Sequence, residues 1–343
     1  MKKAVVIGGG NVAETVHVPY YQERAEIDLA AVVGRDAGRT EAFARKNRIP
    51  RFYTDADEMF AAEKPDLVSV CTPNRFHFEL VMKALEHGCD VLCEKPPAMS
   101  AGEALQMHQA AEAAGAVLAY NFHHRFADDV RILKEKIAEG MLGDVYVTKI
   151  QATRRSGIPG WGYFNDKEMQ GGGPLMDLGI HMLDAALYAL GFPEVRRVTA
   201  KMYQKIGRKK SSGSFGTWDP EAFTVEDSFF AFIELKNDGL LQLETSFALN
   251  MKEDAVMNVS FYGDEAGAEL FPAHIHTDSD GKLVSLYQKE KADTDRHRKS
   301  MEAFVDKCLG HDVMIVDSGQ GYTIQKIVEA LYQSAEKGEC ISL

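Results

Sequence analysis

One histidine and two charged side chains in this sequence have types and spacing that suit proton transfer to or from a hydroxyl group. Histidine is the side chain whose ordinary pKa is nearest neutrality, which is the property wanted in a general base, and His181 is the candidate. Asp177 precedes His181 by four residues, so both lie on one helix face if the helix has begun by Asp177. Lys95 follows a short apolar run, and its ammonium group could stabilise an alkoxide. We therefore expect Lys95, Asp177 and His181 to converge as a catalytic group.

A glycine-rich segment near the start of the chain has the pattern of a loop that binds the pyrophosphate of a dinucleotide. The pattern G-x-G-x-x-G/A begins at Gly8, directly after an apolar run, and ends at Ala13. The first glycine permits a tight turn, the second lets backbone amides approach the phosphates, and the small last residue permits close packing of helix on strand. The predicted contacts are Gly8, Gly10, Asn11 and Val12.

The end of the second apolar run bears on the choice between NAD and NADP. A carboxylate that would hold the ribose 2′-hydroxyl of NAD is expected there, but the chain has Gly34 followed by Arg35. Arg35 and Arg39 lie one helical turn apart and could receive a 2′-phosphate, which favours NADP over NAD. The alternative is that both arginines are surface residues and that Asp36 or a backbone group meets the ribose.

The apolar pattern predicts two domains in these 343 residues. Over 1–122, short apolar runs alternate with helical patterns, which is typical of a doubly wound parallel Rossmann sheet. Over 123–343, longer strands follow one another with few helices between them, which predicts an α+β domain with a large, mostly antiparallel open sheet. The strands predicted for this domain are Val145–Thr153, Val195–Gln204, Asp227–Leu235, Leu240–Leu249 and Ala255–Tyr262, and the final helix, Gly321–Lys337, is expected to pack back on the body.

Composition limits the partners and the compartment. The formal net charge is −12, and no basic stripe offsets it, so we expect neither nucleic acid nor a membrane surface as a partner. The five cysteines are an odd number without a disulfide or metal-binding spacing, which suits a reducing cytoplasm.

Further motifs give the chain a family resemblance. Together with the glycine loop they resemble the Gfo/Idh/MocA oxidoreductases, the group that includes glucose-fructose oxidoreductase and inositol 2-dehydrogenase. The resemblance spans nearly the whole chain. Its motifs are Thr72-Pro73-Asn74 with His77, Glu94-Lys95-Pro96, the run Gly171-Gly172-Gly173-Pro174 that leads to Asp177 and His181, the segment Gly263-Asp264-Glu265-Ala266-Gly267, and a C-terminal stretch from Ala330 to Ala335.

The resemblance implies hydride exchange between NADP or NAD and a hydroxyl or carbonyl group of a sugar, cyclitol or sugar acid. It implies that Lys95, Asp177 and His181 are catalytic, and that Thr72, Pro73, Asn74, His77, Glu94 and Lys95 line the cofactor cleft. Two structural alternatives stay open here. His77 could instead cap a helix, and Glu94 could simply orient Lys95.

Substrate contacts are expected from two segments. The first comprises four residues that follow the last Rossmann strand and could equally be hinge residues: Asn121, His123, His124 and Arg125. Arg154 and Trp161 precede the glycine run and could grip a polar ring, although Trp161 could also be structural. No histidine has a metal-ligand spacing, so we expect no metal.

We therefore expect an NAD(P)-dependent dehydrogenase that acts on a small polyol. The alternatives are a non-catalytic, dinucleotide-sensing regulatory protein on the same scaffold and a reductase or dehydrogenase of a non-sugar diol. Lys95, Asp177 and His181 are all present, which favours an enzyme. Side chains of a strand point alternately to the two faces of a sheet, and here apolar residues occupy both, for example Phe229, Phe230, Phe232 and Ile233. This predicts a homodimer or homotetramer that covers one of the two faces.

Overall fold

The short apolar runs in the first third of the chain form a six-stranded parallel sheet in the computed structural model, which describes residues 1–343. Strands buried on both faces are typical of parallel sheets. The spatial order is β3-β2-β1-β4-β5-β6, so the direction of winding reverses between β1 and β4, where such sheets bind ligands. The strands are β1 (Lys2–Ile7), β2 (Ile27–Val33), β3 (Arg51–Tyr53), β4 (Leu67–Val70), β5 (Asp90–Cys93) and β6 (Leu118–Tyr120).

The helices between these strands begin and end where side chains satisfy their free backbone groups. The N-cap side chains of Asp36, Asp55 and Ser100 each accept a hydrogen bond from a backbone amide three residues on. Gly115 ends the longest of these helices in the left-handed conformation that glycine favours. The helices are α1 (Val18–Glu23), α2 (Ala37–Lys46), α3 (Ala56–Glu63), α4 (His77–Glu86) and α5 (Ala101–Ala114), and α1 is preceded by a π-helical turn at Ala13–His17.

A nine-stranded mixed sheet dominates the second half of the chain. Its order is β16-β15-β14-β13-β7-β12-β11-β8-β17, and β7 and β12 are its one parallel pair. A separate two-stranded ribbon joins β9 to β10. The strands are β7 (Val145–Arg154), β8 (Val195–Tyr203), β9 (Ser212–Gly213), β10 (Gly216–Thr217), β11 (Ser228–Leu235), β12 (Leu240–Ser246), β13 (Ala255–Gly263), β14 (Gly267–Glu269), β15 (His274–Ser279), β16 (Lys282–Gln288) and β17 (Ile341–Ser342).

Few helices accompany this sheet. A 3₁₀ turn at His123–Phe126 precedes α6, and a π-helical turn at Leu175–Gly179 leads directly into α8. The remaining helices of the chain, not all of which pack on this sheet, are α6 (Asp128–Ala138), α7 (Lys167–Gln170), α8 (Ile180–Ala189), α9 (Arg296–Cys308) and α10 (Ser318–Lys337). The predicted fold class, a Rossmann domain and an α+β domain with a large open sheet, is confirmed.

The chain divides into two compact units, and the first contains a segment from the C-terminal part of the sequence. The first unit is Met1–Phe122 with His297–Gln325, and the second is His123–Arg296 with Lys326–Leu343. We expected all of 123–343 in the second domain, so the assignment of 297–325 is corrected. The reason is apolar packing, because side chains of α9 join the core formed by β1, β2 and α1: Met301, Phe304, Val305 and Cys308.

The two faces of β11 differ, as its alternation requires. Phe229 and Ile233 are buried, whereas Phe230 is half-buried and Phe232 is 51% exposed. In the ladder Phe232 lies opposite Thr199 and Gln242, so its open face is apolar on β11 but polar on the neighbouring strands. The apolar area on the exposed face of the sheet is therefore narrower than the sequence pattern predicted.

Two further observations concern the whole chain. All five cysteines are free thiols, and four of them are buried. None of the helices combines the length and the apolar character that crossing a bilayer requires.

Candidate active site

The glycine loop after β1 has the backbone that a dinucleotide phosphate needs. Gly8 has φ of +102°, and a Cβ atom there would lie 2.4 Å from the carbonyl oxygen of Cys71, so only glycine fits. Gly10 is exposed and has no neighbour within 4 Å of the place of a Cβ atom, which leaves room for a phosphate. Asn11 is also exposed, and the buried Ala13 packs in the core below. These residues fit the dinucleotide that the sequence predicts.

The turn after β2 explains why a glycine stands where a carboxylate was expected. A Cβ atom on Gly34 would lie 2.5 Å from the hydroxyl oxygen of Thr40, so a larger residue would displace the first turn of α2. The Asp36 carboxylate accepts a hydrogen bond of 2.8 Å from the Arg39 amide and is engaged as the helix cap. The guanidinium of Arg35 lies 4.7 Å from the ring centroid of Phe76, and both arginine side chains are exposed.

Glu94, the first residue of the Glu-Lys-Pro motif, lies in a buried polar network rather than at a surface. Its carboxylate contacts the His17 ring nitrogen at 2.9 Å and accepts a hydrogen bond of 2.7 Å from the Asn121 amide. Burial acts to raise the pKa of Glu94, but these two partners and the charge of Lys95 outweigh it and hold the pKa below its ordinary value. Glu94 therefore stays charged and anchors the loop that carries Lys95, which is half-buried.

The network continues to both sides of Glu94. The second ring nitrogen of His17 lies 2.9 Å from the hydroxyl oxygen of Ser69, which also contacts the Tyr21 hydroxyl at 2.7 Å. The side-chain oxygen of Asn121 accepts a hydrogen bond of 2.8 Å from Ser300. Asn121 is fully buried and both of its amide atoms are engaged, so it holds Glu94 in this structure. Its contact with a substrate stays a prediction.

His77 bridges the two loops that the family motifs define. One ring nitrogen lies 2.8 Å from the Pro96 carbonyl oxygen and the other 3.0 Å from that of Thr72. The ring is fully buried, and this burial lowers the pKa of His77. His77 therefore holds these two loops together, and its predicted contact with the cofactor stays a prediction. The peptide bond between Lys95 and Pro96 is cis.

Thr72, Pro73 and Asn74 follow β4 within the same unit, at the strand end where the winding reverses. The Thr72 hydroxyl oxygen is buried and has no hydrogen-bond partner in the structure. Thr72 and Pro73 are half-buried, whereas Asn74 is buried. An unsatisfied hydroxyl beside the glycine loop is a further group that a bound ligand could engage.

In the second unit, Asp177 and His181 lie on one continuous helical segment, as their spacing predicted. Asp177 belongs to the π-helical turn and is half-buried, and His181 lies in the first turn of α8 and is 6% exposed. The carboxylate of Asp177 is close enough to Arg154 that its charge opposes the lowering of the Arg154 pKa by burial.

The glycines before this helix are required by close packing on a buried carboxylate. A Cβ atom on Gly172 would lie 1.9 Å from the Tyr332 hydroxyl oxygen, and one on Gly173 would lie 2.3 Å from the Glu226 carbonyl oxygen. The Glu226 carboxylate accepts hydrogen bonds from the Gly173 amide at 3.0 Å, the Leu175 amide at 3.4 Å and the Tyr332 hydroxyl at 2.8 Å. Burial raises the pKa of Glu226 against these contacts.

An ion pair buried within the second unit joins the His123–Phe126 turn to α8. The Arg125 guanidinium donates two hydrogen bonds to the Asp184 carboxylate, one from Nε at 3.2 Å and one from Nη2. Both side chains are fully buried. The guanidinium also lies 4.6 Å from the ring centroid of Tyr188 and 5.1 Å from that of Phe192. Burial raises the pKa of Asp184, and Arg125 opposes the shift.

This ion pair places three imidazoles side by side. Ring centroids are 4.4 Å apart for His123 and His124, 4.7 Å for His123 and His181, and 5.0 Å for His124 and His181. His123 is half-buried, and the other two are buried. His181, the candidate base, therefore has two histidine neighbours that the sequence did not connect with it.

A row of side chains leads from Asp177 to an open cavity. The Arg154 guanidinium lies 4.8 Å from the ring centroid of Phe215, and that ring meets Trp161 edge-on at 5.8 Å. Trp161 is 56% exposed and lines a cavity of about 750 Å³. Its other aromatic lining residues are Tyr163 and Trp218.

Several of these positions had no signal in the sequence. The sequence did not indicate His17, Asp184 or Glu226, and each supports a predicted segment through a contact distant in the chain. Only Asp184 had a local cue, since it lies three residues after His181 on the same helix.

Comparison with family models shows what kind of protein this is. The model described as "Oxidoreductase family, NAD-binding Rossmann fold" matches residues 2–122, and that described as "Oxidoreductase family, C-terminal alpha/beta domain" matches residues 134–343. The chain belongs to the Gfo/Idh/MocA oxidoreductase family. It is a nicotinamide-dependent dehydrogenase with an NAD-binding Rossmann unit, and the predicted enzyme class is confirmed.

Individual relatives of this Gfo/Idh/MocA protein cover nearly its full length. It is 54% identical over 341 residues to D-glucoside 3-dehydrogenase of Escherichia coli K12, covering 99% of this chain and 97% of that one. It is 27% identical to D-xylose 1-dehydrogenase (NADP(+)) 2 of Haloferax volcanii, covering 98% of both chains. The crystal structure of GenD2 from gentamicin A biosynthesis in complex with NAD has a TM-score of 0.80 at 26% identity, covering 100% of this chain and 96% of that one.

The Arg125–Asp184 pair can be tested by removing its partners singly and together. Arg125→Met leaves a buried carboxylate without its cation and should lower the free energy of unfolding by about 3–5 kcal/mol. The double variant Arg125→Met/Asp184→Leu removes both charges and should regain most of that loss. Urea unfolding checks both, with Arg131→Met as the control, because Arg131 forms an exposed ion pair with Glu135. A double variant as unstable as the single one would contradict this account.

Proposed function

We propose that this dehydrogenase oxidises the 3-hydroxyl group of a D-glucoside to a ketone. The observation that carries the proposal is the 54% identity with a D-glucoside 3-dehydrogenase over nearly the whole of both chains. The residues expected to do the chemistry are present here as Lys95, Asp177 and His181. A sugar substrate also suits the polar and aromatic row from Asp177 to Trp161.

The reaction requires one hydride and one proton to leave the substrate. A bound nicotinamide would accept the hydride as the C–H bond at C3 breaks, and the hydroxyl proton would pass to a base as the C=O bond forms. His181 is proposed as that base, and Asp177, one helical turn earlier, would favour the protonated imidazole that results. Lys95 is proposed to stabilise the alkoxide that precedes the ketone. Glu94 and His77 are proposed as positioning residues for the Lys95 loop.

The dinucleotide is proposed to bind at the ends of β1, β2 and β4. The exposed amides after Gly8 suit the pyrophosphate, because Gly10 leaves the approach open. The unsatisfied hydroxyl of Thr72 is a further group for it. When bound there, the cofactor supplies the carbon that accepts the hydride.

The substrate is proposed to lie along Arg154 and Trp161. The Arg154 guanidinium, packed on Phe215, can donate hydrogen bonds to sugar hydroxyls, and the exposed indole can stack on a sugar ring. The cavity beyond Trp161 has room for the group attached at the anomeric carbon of a glucoside.

The catalytic assignment predicts a loss of turnover with cofactor binding retained. His181→Ala and Lys95→Ala should each lower kcat by at least about 100-fold, the usual effect of losing a positioned proton-transfer or charge-stabilising group. Absorbance of the reduced nicotinamide measures turnover with methyl D-glucoside, and titration measures cofactor affinity. His311→Ala, an exposed histidine, is the control. Near-normal turnover of His181→Ala would disprove the base assignment.

The same assay tests the substrate. A methyl D-glucoside should be oxidised and its 3-deoxy analogue should not, since the latter has no hydroxyl group at the reacting carbon. Carbon-13 NMR of the product identifies the position of the ketone. Turnover of inositols or aldoses with none of D-glucosides would contradict the proposed substrate class.

We also propose that NADP binds more tightly than NAD. The arginine side chains after β2 are exposed, the Asp36 carboxylate is engaged as a helix cap, and no acid stands at Gly34 to repel a 2′-phosphate. Arg35→Ala/Arg39→Ala should weaken NADP binding and scarcely alter NAD binding, because only NADP carries the group that they would contact. Titration of both cofactors at low and moderate salt checks this, since salt should partly screen the attraction. Equal losses for both cofactors, or a wild type that prefers NAD, would refute the preference.

A homodimer or homotetramer is proposed to cover the open face of the nine-stranded sheet. The supporting observation is the exposed ring of Phe232 together with the half-buried Phe230 and the exposed Tyr203, whose rings are in contact. Light scattering at micromolar concentration should give a multiple of 38.0 kDa. Phe232→Glu should shift the population towards the monomer, whereas Phe52→Glu, at an exposed residue of β3 in the six-stranded sheet, should not. A wild type of 38.0 kDa alone would contradict the assembly.

A further inference from the structure

The three imidazoles of His123, His124 and His181 have the arrangement of a metal-binding site. One ligand nitrogen from each ring lies within 4.8 Å of the others, and all three residues belong to the second unit. We propose that these histidines bind Zn²⁺ or a chemically similar transition-metal ion, and that the bound ion takes the lone pair with which His181 would accept the substrate proton. The second clause rests on the proposed function, whereas the first rests on the geometry alone.

The spacing of the rings agrees with a single tetrahedral ion. Imidazoles that bind one Zn²⁺ through nitrogens about 2.0 Å away have ring centroids about 5 Å apart. The observed separations are 4.4, 4.7 and 5.0 Å, so small side-chain rotations bring the nitrogens onto one ion. Three histidines leave the fourth position for water, the composition of an open zinc site. His123 is half-buried, so the cluster is not sealed from solvent.

The backbone under this cluster is held in place before any ion binds. His124 is the immediate neighbour of Arg125, and His181 lies three residues before Asp184, so the buried Arg125–Asp184 pair fixes both histidine-bearing segments. The ring of His124 also packs edge-on against Phe271 at 5.9 Å. A preorganised ligand set loses little conformational entropy on binding, which favours affinity. The Arg125 cation is paired with Asp184, which reduces its repulsion of a metal ion.

A second histidine pair in the same unit provides a matched control. The rings of His274 and His276 are 5.2 Å apart on β15, but no third histidine or cysteine completes them as a cluster of three. Two imidazoles at this spacing should bind a transition metal more weakly than three. The double variant His274→Gln/His276→Gln therefore removes two neighbouring imidazoles that lie outside the proposed site.

The binding test uses the whole protein, freed of metal with a chelator. Titration with Co²⁺ should give the absorption bands of a tetrahedral ion with one equivalent bound, and Zn²⁺ should displace it. His124→Gln should weaken Zn²⁺ binding at least about 10-fold, a lower bound from the cost of losing supporting groups around a metal. His274→Gln/His276→Gln should bind as the wild type does. No binding by the wild type, or equal binding by wild type and His124→Gln, would overturn the site.

The activity test separates this proposal from the proposed function. Saturating Zn²⁺ should lower turnover of the wild type about 100-fold, the scale of losing a general base, and a chelator should restore it. The same Zn²⁺ concentration should inhibit His124→Gln less, relative to its own metal-free rate. If Zn²⁺ binds and turnover is unchanged while His181→Ala is inactive, the blocking role is wrong. If His181→Ala remains active, the base assignment fails, and the metal site is judged by the Co²⁺ titration alone.

Discussion

The buried ion pair between Arg125 and Asp184 is the constraint on which the candidate catalytic face of the second unit depends. It joins the turn that follows the Rossmann strands to the helix that carries His181. Its free energy is modest, because the attraction between the charges is offset by the cost of taking them out of water. Its value is geometric: a bidentate pair between two aromatic rings permits one orientation of the segments it joins.

The same device recurs at two other loops, one in each unit. In the first unit, Glu94 holds the strand-end loop that carries Lys95 through contacts with His17 and Asn121. In the second unit, Glu226 accepts hydrogen bonds from the backbone that precedes Asp177. Irregular backbone can be rigid only if its polar groups find such partners. Within each unit, a buried carboxylate therefore fixes a segment that carries a predicted site residue.

The sequence predicted the elements that have a local signal. The five strands predicted for the second domain match β7, β8, β11, β12 and β13 closely, because their alternation and turns are local properties. The strand β3 has three residues and the helix α3 has eight, and segments this short show little hydrophobic periodicity. The sequence pattern therefore does not indicate them. Other features depend on contacts between residues that are distant in the chain. They are the roles of Asp184 and Glu226 as hydrogen-bond acceptors, the packing of 297–325 in the first unit and the cluster of three histidines. No spacing rule contains that information.

The first unit is built from two separate segments of the chain, which has a consequence for folding during synthesis on the ribosome. Its apolar core includes Met301, Phe304 and Val305, and residue Val316 accepts a hydrogen bond from Tyr120 at the edge of the parallel sheet. The Glu94 network likewise ends at Ser300. A nascent chain that has passed Phe122 thus lacks part of the core of its first unit until the segment 297–325 has also been translated. The dinucleotide-binding unit is therefore completed only after most of the second unit has been synthesised.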